Sequence, residues 1–202
     1  MITLPLFPLN TVLFPEGLLP LRIFETRYLD MVRRCLREDG RFVIVAIEPD
    51  TASGEPRPED ETNPAVGFHP IGTEVAIVDW DQRPDGLLGI LVKGERRHQL
   101  HNTRRADDGL WLAEVEPLQE RPDVSLPVDY ASLADLLEKL LDQLGTPWSH
   151  LERHFDQSSW VVGRLAELLP IDLEIKQQLL EADDPIERLE RLRAAMLAAA
   201  KS

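Results

Sequence analysis

Hydrophobic positions fall in short β-like runs up to about residue 119 and at helical spacing from about residue 126 onward. "RFVIVAIE" (41–48) is a continuous β-branched run, the pattern of a strand covered on both faces. "GTEVAIVDW" (72–80) and "LLGILVKG" (87–94) flank "DQRPDG", where Pro84, Asp85 and Gly86 supply turn chemistry. "LWLAEVEPL" (110–118) alternates late in its course, with Glu114 and Glu116 on the wet face, after a second turn at Asp107, Asp108 and Gly109. Five or six short strands joined this way predict a small barrel or strongly curled sheet. One amphipathic helix interrupts them. Over residues 25–39, Tyr28, Leu29, Val32, Cys35 and Leu36 share a face opposite Arg33, Arg34 and Arg37, and Asp39-Gly40 ends the run.

In the second half, Leu133, Leu136, Leu137, Leu140, Leu141 and Leu144 form one stripe that Gly145 closes. Further helices are predicted over 158–169, over "DLEIKQQLLEA" (172–182), and from Asp184 onward. At that last start Asp184 is an N-cap, Pro185 occupies the first helical position and Glu187 the third. Ile186, Leu189, Leu192 and Met196 then supply the buried face. The fold class is α+β: a β-rich part over residues 1–119 with one inserted helix, then a helical bundle over 120–202. Between them in texture, the segment 49–65 has four prolines, five acidic residues and no large aliphatic side chain, and reads as a long loop.

"LPLFPLNTVLFPEGLLPLRIFE" (4–25) is apolar enough for two strands, yet carries Pro5, Pro8, Pro15 and Pro20. A proline removes a ladder donor, so these predict an edge strand and fixed entry angles, with Leu4, Leu6, Phe7, Leu9, Val12 and Leu13 still burying.

Composition narrows the function classes. With 43% hydrophobic and 29% charged residues the chain reads as a soluble globular protein. The formal charge of −14 is shared, −8 over residues 1–120 and −6 over the rest. An acidic balance in both halves argues against nucleic acid and against anionic lipid surfaces. No run of 18 apolar residues suits a bilayer, and the apolar start lacks a basic n-region, its first positive residue being Arg22. The single cysteine, Cys35, cannot form an internal disulfide or a Cys-rich zinc site. The expected location is the cytoplasm.

Candidate chemistry is sparse. "HLERH" places His150 and His154 at i, i+4, the spacing of a shared metal, but Leu151 stands where a zincin has its general-base Glu. A solvated helix face competes with the metal reading and is favoured. His98 and His101 of "HQLH" point to opposite faces of a strand, and with His69 they meet no acid or nucleophile that completes a triad. Cys35 lies on the apolar helix side and reads as a small buried hydrophobe. Arg96, Arg97, Arg104 and Arg105 sit on one predicted hairpin and form the basis of an alternative, RNA-binding reading. The arm lacks stacking aromatics, and Glu95, Asp107 and Asp108 dilute its charge. No catalytic residue, cofactor site or metal site is predicted.

The order of "LPLFPLNTVLFPEGLLPLRIFETRYLDMV", "IGTEVAIVD", "LLGILVKGERRHQL" and "LLPIDLEIKQQLLEADDPIERLERL" resembles the N-terminal substrate-binding domain of the Lon protease family across nearly the whole chain. The resemblance implies a PUA-like, pseudo-barrel sheet for the first half. It further implies non-catalytic binding of polypeptide, either unfolded segments or a proteolysis partner. G-x-x-x-x-G-K-[ST], the ATPase phosphate cradle of full-length Lon, does not occur in the sequence, so the expectation is a free-standing homologue of that domain. Exposed apolar surface beside the proline-rich edge is the expected contact, with Phe14, Leu18 and Leu19 as candidates. "FETRY" (24–28) matches a stretch common in the family. It offers Glu25, Arg27 and Tyr28 as a recognition surface, against a structural reading in which Glu25 favours the helix start, Arg27 pairs and Tyr28 packs. A weak homo-oligomer is left open.

Overall fold

Proline placement and period-2 alternation together determine how the strands assemble. The computed structural model describes residues 1–48, 67–82 and 86–199; the acidic segment 49–65 and the turn at Pro84 and Asp85 lie outside the described residues. The strands are β1 (Ile2–Leu9), β2 (Leu18–Ile23), β3 (Phe42–Ala46), β4 (Ile71–Gln82), β5 (Leu88–Arg105) and β6 (Trp111–Pro117), with helix α1 (Thr26–Glu38) between β2 and β3. Their order is β2-β5-β4-β3-β1-β6, and β5 pairs with β6 as well, so the sheet curls until five strands close on themselves. β5 does both jobs because it is long. Its first half pairs with β2 and its last residues with β6.

β2 is therefore the edge strand, and Pro20 sits on it as expected. β1, which carries Pro5 and Pro8, is not an edge. It pairs with β6 over residues 2–5 and in parallel with β3 over residues 6–9, so along each half one flank carries no ladder. A missing donor is tolerable on such a half-paired strand, which is why the prolines coexist with internal pairing.

Alternation sorts the apolar residues into two layers. Phe7, Phe42 and Ile44 join Leu21, Ile23, Tyr28, Met31 and Val32 beneath α1, whereas Leu6, Val43 and Val45 pack with Leu100, Ala113 and Val115. All five residues of β3 are buried, as its unbroken β-branched run predicts. The buried stripe of α1 is Tyr28, Met31, Val32 and Cys35; Leu36 lies past it and is exposed, contrary to expectation. Asp39, rather than Gly40, adopts the left-handed conformation that ends the helix (φ 49°), and the Gly40 N–H donates to the Cys35 carbonyl at 2.9 Å.

The helices are α2 (Ala131–Gln143), α3 (Ser158–Leu168), α4 (Leu173–Glu181) and α5 (Pro185–Ala199). Asp184 Oδ1 accepts the Ile186 and Glu187 N–H groups at 2.8 and 3.2 Å, the predicted cap, while Glu187 reaches forward to Arg191 instead of back to the cap. α3 is buried on every side from Trp160 to Ala166, so it is the centre of the bundle. Val12 and Phe14 pack into the helical core while Leu13 between them faces the sheet core. The segment 12–17 thus belongs to both parts at once.

Candidate functional site

Two buried arginines fix the junction on which any surface must be built. Arg164, on α3, meets Glu167 at 2.7 Å and donates to the Pro15 carbonyl at 3.1 Å, and Glu167 Oε1 accepts the Phe14 N–H at 2.8 Å. Arg97, on β5, is 1% exposed. It grips Glu120 through two bonds of 2.8 Å, Asp183 at 3.0 Å, and the Leu180 carbonyl at the end of α4 at 2.7 Å. Burial opposes its charge, and the paired Glu120 and Asp183 more than offset that, so its pKa stands above the ordinary guanidinium value.

The sequence candidates divide on this frame. Phe14, expected on the surface, is 3% exposed and packs into the helical core, with its Cβ against Gly163. Side chains alternate through residues 12–14, in the connection between β1 and β2, so Val12 and Phe14 point at the helices, whose position the local sequence does not supply. Leu18 and Leu19 are half-buried on the edge strand, and Leu19 packs partly against the sheet core. Tyr28 is buried with its ring 4.4 Å from that of Phe7, which is the structural reading and not the recognition one. Arg27 pairs with Glu25 at 2.7 Å, donates to the Gly109 carbonyl at 3.1 Å and lies over the Tyr28 ring. Glu25 and Arg27 therefore line a polar groove with Arg105, Asp107 and Asp108, away from Leu18.

The basic arm loses its centre for the same reason. Arg97 is inside, Arg96 is 3.8 Å from Glu74, and only Arg96, Arg104 and Arg105 remain outside. The histidines do not converge. His98 is buried with Nε2 2.7 Å from the Glu74 carboxylate, His69 is 3.9 Å from Glu174, and His101 is 3.7 Å from Glu116. Residues 152–154 follow a single 3-10 turn at Trp148–His150 and are not helical, so the i, i+4 geometry of "HLERH" does not form. Among the described residues no group of three or more His, Cys, Asp or Glu is suited to a metal. Burial pushes the Cys35 thiol up, consistent with a packing role.

Burial also pushes the pKa of His98 down, against the opposing pull of Glu74. A histidine whose folded pKa is depressed costs stability once the unfolded chain takes up the proton, below about pH 6.5. Thermal midpoints are expected to fall as pH drops below that value, with a shallower slope in His98→Gln; identical slopes in the two proteins would contradict this.

Three exposed apolar groups that the sequence reading passed over lie on or just past the strands of the tip where β2, β5 and β4 run alone. Rows such as Leu21–Ile90–Trp80 cross all three strands, and β3 reaches β4 only at residues 73–75. Beyond that point, among the described residues, β4 has a partner on one flank only, as β2 does. Trp80 continues the row of the buried Leu21 and Ile90 yet is 59% exposed; Val78 is half-exposed beside it, and Phe24, just past the end of β2, is 68% exposed. Two interstrand spacings, about 10 Å, separate the outer strands of this tip. Asp79 and Asp81 flank Trp80, and a groove of about 170 Å³ runs from Pro20 and Leu91 past Trp80 to Pro147. Two sequence signals were available: Phe24 breaks the alternation that precedes it, and Trp80 stands between acids at the end of a strand.

The comparisons with known proteins agree with this architecture. Residues 3–197 match the family described as the ATP-dependent protease La (LON) substrate-binding domain. The Lon protease of Desulfovibrio desulfuricans is 29% identical over 195 residues, 93% of this chain and 21% of that protein. The Lon protease of Buchnera aphidicola is 24% identical over 96% of this chain and 25% of its own length. The chain thus spans a quarter or less of these relatives. Among solved structures, the Lon N-terminal domain protein from Xanthomonas campestris is 36% identical, with a TM-score of 0.74 over 96% of this chain and 98% of that one. The N-terminal domain of the Mycobacterium avium complex Lon protease, at 21% identity and a TM-score of 0.61 over 95% of this chain and 96% of that one, shares the fold.

Proposed function

The chain belongs to the family of ATP-dependent protease La (LON) substrate-binding domains, and from that premise we propose that it binds polypeptide without catalysing a reaction on it. The observation that carries the reading is the exposure of Phe24, Val78 and Trp80 on a three-stranded tip with two half-paired flanks. An extended segment adds as a strand along β2 or the outer half of β4, its backbone completing the ladder and its apolar side chains meeting Trp80 or Phe24. Leu18 and Leu19, half-buried on β2, form the floor of that edge. Asp79 and Asp81 beside Trp80 favour clients in which basic residues flank the apolar ones. A folded protein keeps its backbone donors and apolar groups engaged, so the preferred clients are unfolded segments, including those a protease partner would degrade. An RNA-binding role for Arg96, Arg104 and Arg105 has no comparable support once Arg97 is inside.

The test uses a fluorescently labelled, permanently unfolded polypeptide. Trp80→Ser and Phe24→Ser are each expected to weaken its binding about tenfold, roughly 1.4 kcal/mol. Thermal unfolding should be unchanged, because both side chains contact mostly solvent. Full affinity in the double variant would remove this surface from the account.

A further inference from the structure

The two half-paired flanks of the tip are not equivalent. Pro20 lies inside β2 and pairs there with Leu91. A proline fits a ladder only with its missing N–H turned away from the partner strand, so the free flank of β2 lacks a donor in its middle. β4 carries no proline, and from Asp79 to Gln82 it pairs residue for residue with Leu91 to Leu88 of β5. The register shift between Ile77 and Asp79 leaves Val78 as the extra residue of a bulge, and this regular stretch begins after it.

The free flank of β4 is capped. The Trp80 N–H donates to Asp79 Oδ1 at 2.8 Å. A strand N–H points to one neighbour or to the other, and one that meets a carboxylate of its own strand is not spent on β5. It lies on the free flank, where the carbonyl of an added strand would need it. Both residues are exposed, and Asp79 has no ion pair among the described residues, so the cap carries a charge that no cation neutralises. A charge on a free strand edge is a device against unwanted pairing.

Alternation decides what relieves the cap. Asp79 and Asp81 stand opposite Leu91 and Gly89, on the face that carries the groove to Pro147, whereas Trp80 stands opposite Ile90 on the other face. In an antiparallel pair each incoming side chain lies on the face of the residue it opposes. An apolar residue opposite Trp80 therefore brings its two neighbours opposite Asp79 and Asp81. A cation opposite Asp79 draws the carboxylate to itself and releases the Trp80 N–H to the ladder. An uncharged segment must break the same bond with no ion pair in exchange.

We propose that Asp79 is the gate and the specificity-determining residue of the β4 edge, capping the Trp80 N–H until an extended segment with the order basic, apolar, basic takes its place. The gate presupposes the strand-edge binding of unfolded segments and narrows it to β4.

The experiment titrates the whole chain with labelled peptides of equal length, flanked by Gly and Ser, whose cores read Lys-Val-Lys, Lys-Lys-Val or Thr-Val-Thr. The first two have the same composition, so general attraction to an acidic protein treats them alike. Lys-Val-Lys is expected to bind about fivefold tighter than either of the others, and equal affinity for Lys-Val-Lys and Lys-Lys-Val overturns the proposal. Asp79→Asn keeps an oxygen for the Trp80 N–H but no charge, and should lose the preference; a retained preference overturns the role of Asp79. Asp79→Ala uncovers the N–H and should raise affinity for Thr-Val-Thr about fivefold, the worth of one hydrogen bond, whereas unchanged affinity overturns the gate. The permanently unfolded polypeptide is titrated alongside. If it binds the parent chain and not Trp80→Ser while the peptides are not distinguished, the gate falls and strand-edge binding stands; if it does not bind the parent chain, both fall.

Discussion

Gly94→Ala is expected to be among the most damaging single substitutions in this protein. Gly94 lies in β5 where the strand passes the 14–17 turn. Its N–H donates to the Gly17 carbonyl at 2.9 Å and its carbonyl accepts the Glu16 N–H at 2.8 Å. A Cβ at this position would collide with the carbonyl oxygen of Phe14, a backbone atom that no rotamer change can move. Relief requires either the turn or β5 to shift. The turn is held by Glu167 on the Phe14 N–H, and β5 by β4 on one side and β2 on the other. The strain therefore reaches both cores through Val12, Leu13 and Phe14. Overpacking of this kind costs about 3 kcal/mol. For a chain of this length that lowers the thermal midpoint by about 6–12 °C, measurable by circular dichroism. A midpoint within about 2 °C of the parent would mean that the approach of Gly94 to Phe14 is not a constraint on the fold.

Arg97→Met is expected to have an effect of similar size through a different route. The methionine keeps most of the side-chain length but none of the donors. Glu120 and Asp183 are partly exposed and regain water when the guanidinium leaves. The Leu180 carbonyl does not, because it is the buried end of α4 and Arg97 is its donor. Removing one partner of a buried charged network costs about 3 kcal/mol or more. The loss should fall on the docking of sheet and bundle. Urea unfolding should show a lower midpoint, and hydrogen exchange should speed up first in α4 and in β5 near residue 97. Arg97→Lys should recover only part, since one ammonium cannot reach Glu120, Asp183 and the α4 carbonyl together. Equal stability of Arg97→Met and the parent would show that the two parts are held by their apolar contacts alone.

The fold was largely legible from period and punctuation. The β-branched run of β3, the turn at Asp107–Gly109, the leucine stripe of α2 and the Asp184-Pro185 start each carry their structure locally, and each forms where expected. What local pattern cannot carry is which of two cores an apolar residue joins. Phe14 and Leu13 look alike in sequence, yet one faces the bundle and the other the sheet. Arg97 likewise looks like its neighbour Arg96, and only the arrival of Glu120, Asp183 and α4 from far along the chain makes it a core residue. A curled, barrel-like sheet was expected and is found, but that the far end of β5 makes the closure was hidden for the same reason, being a pairing between strand segments rather than a property of either. The candidate surface suffered most. Exposure of Trp80 and Phe24 depends on where β3 stops and on β2 having no second neighbour, and neither fact is written in residues 76–82 or 18–24 themselves.

The central claim is that the chain binds unfolded polypeptide through the tip formed by β2, β5 and β4. The most direct measurement is a fluorescence titration of the parent chain and of the Phe24→Ser, Trp80→Ser double variant against one labelled polypeptide. That polypeptide is presented once permanently unfolded and once folded. The account predicts a dissociation constant on the order of micromolar for the unfolded form, corresponding to about −8 kcal/mol, with no measurable binding of the folded form. It predicts a loss of about a hundredfold in a double variant that unfolds at the parent temperature, the two contributions adding. Equal binding of folded and unfolded forms, or undiminished binding by the double variant, would contradict it.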